Sequence, residues 1–220
     1  MSGRYPNLLG YDDDFLLLAF EAHCPVPTSV DDARCMQNAY TILRGASNRK
    51  QTYMYPSDRF PLILSISEPI GGASKQVVED FQLYMVAFKA CAGWEFLDDV
   101  MGDPKKCGAL YCDVGTRNAR IAQRYMTILV AGEPDVAKTG GVVDVVPPER
   151  RVEYGVAETF WSYHLLSSPP GDPTLTSLLR TLTPWSTSDV SSHLHTEHAS
   201  RIVEWLKVFG SFCSHCNAAN

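Results

Sequence analysis

The chain has 220 residues, 45% of them apolar, and a formal net charge of −6. That suffices for one core of ordinary size with room for an appendage. The acidic balance argues against a free-standing nucleic-acid binder with a broad basic face, but not against one that meets RNA through a few arginines while many copies share the work. No run of 18 apolar residues occurs, so no membrane span is expected. Met1 to Pro6 has no apolar stretch of signal-peptide type. The seven cysteines are odd in number and lack scaffold-like spacing, which reads as reduced thiols in a cytosolic protein.

Asp12, Asp13 and Asp14 stand before Phe15 to Phe20, as acids do in a first helical turn, and Pro25 and Pro27 end that helix. Ser29 opens a second helix as its cap, with Asp32 at the capping-box position and Met36, Ala39, Tyr40 and Leu43 at helical spacing up to Gly45. Leu62 to Ile66 suits a short strand as well as a helix. Ser74 starts a helix whose Val77, Val78, Phe81, Leu83, Tyr84, Val86 and Phe88 leave few polar positions, so it should be well buried. The stretch 98–113, with Gly102, Pro104 and Gly108, reads as irregular, and 132–146 as a loop. Pro147 and Pro148 start a further helix carrying Phe160, Trp161 and Leu165, and a short helix over 175–182 follows. A last helix over 191–212 carries Trp205 and Leu206. The expected fold class is mainly α, with at most one small sheet.

The stretch from Asp113 to Arg120 organises the rest. Thr116 suits an N-cap, and a helix from there to about Val130 sets Arg117, Arg120 and Arg124 on one face. Cations at the positive end of a helix give up some stability. They make more sense with an anion there in the working state, and an RNA phosphate is the expected one. The plainer reading is a solvated helix face.

Other constellations are thinner. Asp98, Asp99 and Asp103, with Glu95, resemble the aspartate-rich magnesium motif of prenyl-chain enzymes, though no second such motif follows. His193, His195 and His198 with Glu197, and Cys213, His215 and Cys216, have zinc-ligand residue types. The helix between the two sets is about 20 Å long or more, too far for one ion. Gly71, Gly72 and Lys75 lack phosphate-loop spacing, and no group is placed to orient His23 with Cys24 as a nucleophilic pair. No catalytic site, metal site or cofactor is expected.

Three separated segments are similar to the coat proteins of rod-shaped, helical plant RNA viruses of the tobacco mosaic virus type. Arg59-Phe60-Pro61 resembles the family's Arg-Phe-Pro before its third helix. Asp113 to Arg120 looks like its Asp-Thr-Arg-Asn-Arg at the RNA groove, and Thr116 to Arg120 like the Thr-Arg-Asn-Ala-Lys of furovirus-type coats. Arg150-Arg151-Val152-Glu153 is similar to Arg-Arg-Val-Asp at the start of the last core helix. Leu175 to Ser177 and Leu182 to Ser186 fall where the family has Phe-Glu-Ser and Leu-Val-Trp. The resemblance implies a non-catalytic, four-helix-bundle coat core over 1–185 and an additional C-terminal helix and tail over 186–220. It implies copies that stack as a homo-oligomer around single-stranded RNA, in the virion and the host cytoplasm. Arg117 and Arg120 would meet phosphates, with Asn118 and Arg124 beside them. Asp113 would pair with Arg151 beneath the groove, and Arg150 and Glu153 would line it. Two or three arginines per copy bind RNA weakly alone, and stacking supplies the rest. Carboxylates of Asp12 to Asp14, or of Glu95, Asp98 and Asp99, would repel between neighbours until pH falls or cations bind. The rival readings are a small magnesium-dependent enzyme using Asp98, Asp99 and Asp103, and a host-interaction protein that docks through its C-terminal helix.

Overall fold

A computed structural model describes residues 12–46, 75–137, 148–186 and 197–208. These are helical almost throughout, and no strand occurs among them. The fold class is therefore mainly α. The strand-or-helix run 62–66 lies outside the described residues, as do Arg59 to Pro61, Gly71 to Ser74, His193, His195 and Cys213 to Cys216. No helix among the described residues is long and apolar enough to cross a membrane. The chain divides into two compact units, Met1–Asp113 and Val114–Asn220.

The first unit begins with α1 (Asp13–His23), capped by Asp12, whose carboxylate accepts from the Phe15 amide at 2.7 Å. It stops at Cys24, where the backbone turns extended before Pro25. Helix α2 (Val30–Ala46) starts as its capping residues require: the Ser29 hydroxyl accepts from the Asp32 amide at 3.0 Å. The Asp32 carboxylate reaches back to the amide and hydroxyl of Thr28, one residue earlier than the usual box.

Helix α3 (Lys75–Met101) is longer than its apolar run and is broken once, at Gly93, whose φ of 81° and ψ of 166° no helix contains. It covers part of the stretch read as irregular. The remainder is a one-turn helix, α4 (Pro104–Cys107), capped by Asp103, and a 3-10 turn, Gly108–Leu110.

The core of this unit sets Phe20 against Tyr84 and Phe88, and buries Met36, Tyr40, Phe81, Met85 and Leu97. Each such side chain contributes about 1.5–3 kcal/mol by leaving water. The expectation that α3 is well buried fails on one face. Leu83 and Val86 are 72% and 54% exposed, because α2 and α1 pack on the opposite side. Phe15 and Leu18, three apart on α1, are exposed in the same way.

The second unit holds α5 (Val114–Ala137), α6 (Pro148–Leu166), α7 (Pro173–Ser186) and α8 (197–208). Helix α5 begins two residues before Thr116, so Thr116 lies inside its first turn and Asp113 is the residue ahead of it. It also runs past Gly132 and Pro134, where a loop was expected, because packing on α6 and α7 outweighs local breakers. Helix α7 is longer than expected: Asp172 caps it with bonds of 2.9 Å from the amides of Thr174 and Leu175.

Ile121, Tyr125, Met126 and Leu129 of α5 share a core with Tyr154, Ala157, Trp161 and Leu165 of α6 and with Leu175 and Leu179 of α7. The α8 segment belongs to this unit. Trp205 is buried and donates to the Ser168 carbonyl at 3.3 Å, and the His198 ring stacks on Trp161. Residues 197–208 thus pack within the unit that begins at Val114.

Candidate nucleic-acid interface

Helix α5 runs unbroken through Arg117, Arg120 and Arg124. Its burial is graded. Arg117 is 3% exposed, whereas Arg120 and Arg124 are half-buried. Arg117 therefore lies in the body of the unit, and the reachable guanidinium groups are the later two. Asn118 is buried as well: its Nδ2 donates to the Val114 carbonyl at 2.9 Å and its Oδ1 lies 2.8 Å from His164 Nδ1. That residue joins two helices and does not face solvent.

Two contacts give the direction of α6 against α5. Asn118 meets His164, and Arg124 meets Glu153 at 3.2 Å, so the helices run antiparallel. Arg150 and Arg151, at the start of α6, therefore lie toward the Arg124 end of the arginine face. Arg151 stands 13 residues from His164, or roughly 20 Å along the helix. The fold accordingly gathers Arg120, Arg124, Glu153 and Arg150 into one strip and leaves Arg117 and Asn118 apart from the arginines of α6. In that strip, Glu153 pairs with Arg124 at 3.2 Å. Arg151 is exposed beside it, and Asp113 is exposed one residue ahead of α5.

Sequence reasoning missed the buried polar seam of this unit. Because Asn118 uses its Nδ2 on backbone, its Oδ1 accepts, and His164 presents Nδ1–H to it. Burial pushes the His164 imidazole down to about 3, so it is neutral across the physiological range. A second node joins His198 Nδ1 to the Ser162 hydroxyl at 2.6 Å, with Arg201 Nη1 donating to the same oxygen at 3.3 Å. Ser162 is fully buried, and this serine–imidazole pair docks α8 on α6. The signal available was a histidine and a serine set among the apolar residues of α6.

The aspartates read as a magnesium motif are dispersed. Asp98 accepts from Arg44 Nε at 2.8 Å and from the Tyr40 hydroxyl at 2.5 Å; Asp99 pairs with Lys106; Asp103 caps α4. Each carboxylate has a separate local role, and no set of three metal-ligating side chains occurs among the described residues. Burial first, and then Cys107 nearby, push the Cys24 thiol up to about 12, which disfavours its thiolate. No family model, curated relative or solved structure matches this chain.

Proposed function

We propose that the chain is a structural coat protein that polymerises around single-stranded RNA. Its four-helix core would gather the strip of Arg120, Arg124 and Arg150, with Arg151 beside it, against the phosphates. The observation that carries this reading is the continuous arginine-bearing helix α5 packed on α6, whose first turn carries two more arginines. Affinity from so few phosphate contacts is small for one copy and multiplies in an array. The exposed apolar pairs Leu83 with Val86 and Phe15 with Leu18 supply surface that stacked copies would bury. Arg117, being buried, positions α5 in this reading and leaves phosphate contact to its neighbours.

Negative-stain microscopy of the purified chain, at falling pH and with added RNA, tests it. Rods or discs are expected. Arg120→Ala with Arg124→Ala should still assemble but package no RNA, and the wild-type binding constant should fall steeply with salt. Monomers under every condition, with and without RNA, would overturn it.

A further inference from the structure

The first unit concentrates its unusual features at the break in α3. Gly93 adopts φ 81°, which other residues rarely do, and a Cβ placed there would meet nothing within 4 Å. Open space therefore lies beside the break. The next residue, Trp94, is half-buried. The Tyr40 ring packs edge-on against its indole, with centroids 6.0 Å apart. Two cations stand over that indole: the Arg44 guanidinium carbon at 5.6 Å from the ring centre and Lys89 Nζ at 5.9 Å.

The two cations differ in what holds them. Arg44 is fixed, because Asp98 accepts from its Nε at 2.8 and 3.1 Å while Tyr40 holds the same carboxylate. Lys89 is exposed and makes no ion pair among the described residues. A lysine ammonium on a flexible stem can leave an indole face for an anion. The Trp94 Nε1–H is shielded from solvent and has no acceptor among the described residues. Such a donor is expensive to bury, and a ligand oxygen would relieve it.

We propose that Trp94, Lys89 and Arg44, at the glycine break of α3, form a binding site for a nucleotide unit of single-stranded RNA. The base stacks on the indole and its phosphate takes Lys89. The ligand class follows from the pairing of features: a flat π-face wants a flat ring, and an uncompensated ammonium beside it wants an anion. A nucleotide carries both. Asp98 holds Arg44 and Tyr40 as a fixed wall, so only Lys89 moves on binding. The site is built wholly from residues of the first unit and does not depend on copies assembling.

Tryptophan fluorescence of the full chain tests it, with an octamer of uridylate, uridine 5′-monophosphate and inorganic phosphate as probes. The octamer should quench saturably, and phosphate alone should not. Trp94→Phe should remove most of that quenching, and Lys89→Glu should weaken the octamer about tenfold. A monophosphate that binds much more weakly than the octamer assigns the site to a strand, and one that binds equally well assigns it to free nucleotides and overturns the strand. Lys89 is on the surface, so Lys89→Glu with an unchanged far-ultraviolet dichroism spectrum reports on binding alone. The proposal falls if quenching persists in Trp94→Phe, or if Lys89→Glu binds the octamer as tightly as the wild type.

Discussion

The two units bury polar groups in different ways. In the first, α2 supplies Asp32 and Gln37, whose side chains reach backbone: Asp32 takes the Thr28 amide, and Gln37 donates to the carbonyls of Ala109 and Tyr111 at 3.4 and 3.1 Å. Those bonds strap irregular segments to a helix. In the second, two buried imidazoles also bridge helices, Asn118 with His164 and Ser162 with His198. Backbone partners hold their form at any ordinary pH, whereas an imidazole bridge works in one protonation state. The difference teaches where this chain should be sensitive to acid.

Phe81 is fully buried in the first unit, and Phe81→Ala should cost about 3–5 kcal/mol, read as a lowered denaturation midpoint in urea. A loss below 1 kcal/mol would mean that the first unit is not organised around α3.

Next comes pH. The His164 imidazole takes a proton near 6.5 when unfolded, but only near 3 when folded, because burial disfavours its charged form. The unfolded chain thus binds more protons in that window. Stability from this group is complete above about pH 6.5 and declines as pH falls toward 3, by at most about 1.4 kcal/mol per unit. Hydrogen exchange should show peptides of α5 and α6 opening before those of α2 and α3, and His164→Gln should flatten the slope. Simultaneous opening of both units would erase the contrast.

A smaller effect sharpens it. Asn118→Ala removes the acceptor of the His164 Nδ1–H and should cost about 1–3 kcal/mol. Unchanged stability would show that this seam contributes nothing to the packing of α5 on α6. Smallest is the pair Arg124 with Glu153, whose side chains are 35% and 30% exposed. A double-mutant cycle should give below about 1 kcal/mol, so Arg124→Ala should report on RNA and hardly on folding. A larger coupling would make Arg124 a structural residue like Arg117.

Much of the secondary structure was legible in the chain. The acids at the start of α1, the cap at Ser29, the stop at Cys24-Pro25 and the start at Pro148 all rest on local rules of capping and proline geometry. What was misjudged was non-local. Helix α5 outruns Gly132 and Pro134, and α3 carries a helix through Met101 past its glycine break, because each has a partner helix to pack on. The candidate site was half legible: the arginine spacing is a property of any helix, but its depth is not. Arg117 and Arg120 look alike in the sequence and differ in burial because the Arg117 position turns into the body of the second unit.

The residues alone determined a mainly helical chain, the turns at which most helices begin, and three arginines along one helical stripe. Each of these follows from interactions within a few positions of the chain. Only the tertiary structure decided that α5 and α6 run antiparallel, that 197–208 closes the second unit, that the aspartates of 98–103 are spent on separate partners, and that Trp94 meets two cations. Those facts depend on which faces find one another across long stretches of chain, and hydrophobic burial, being non-directional, leaves no local mark of that choice.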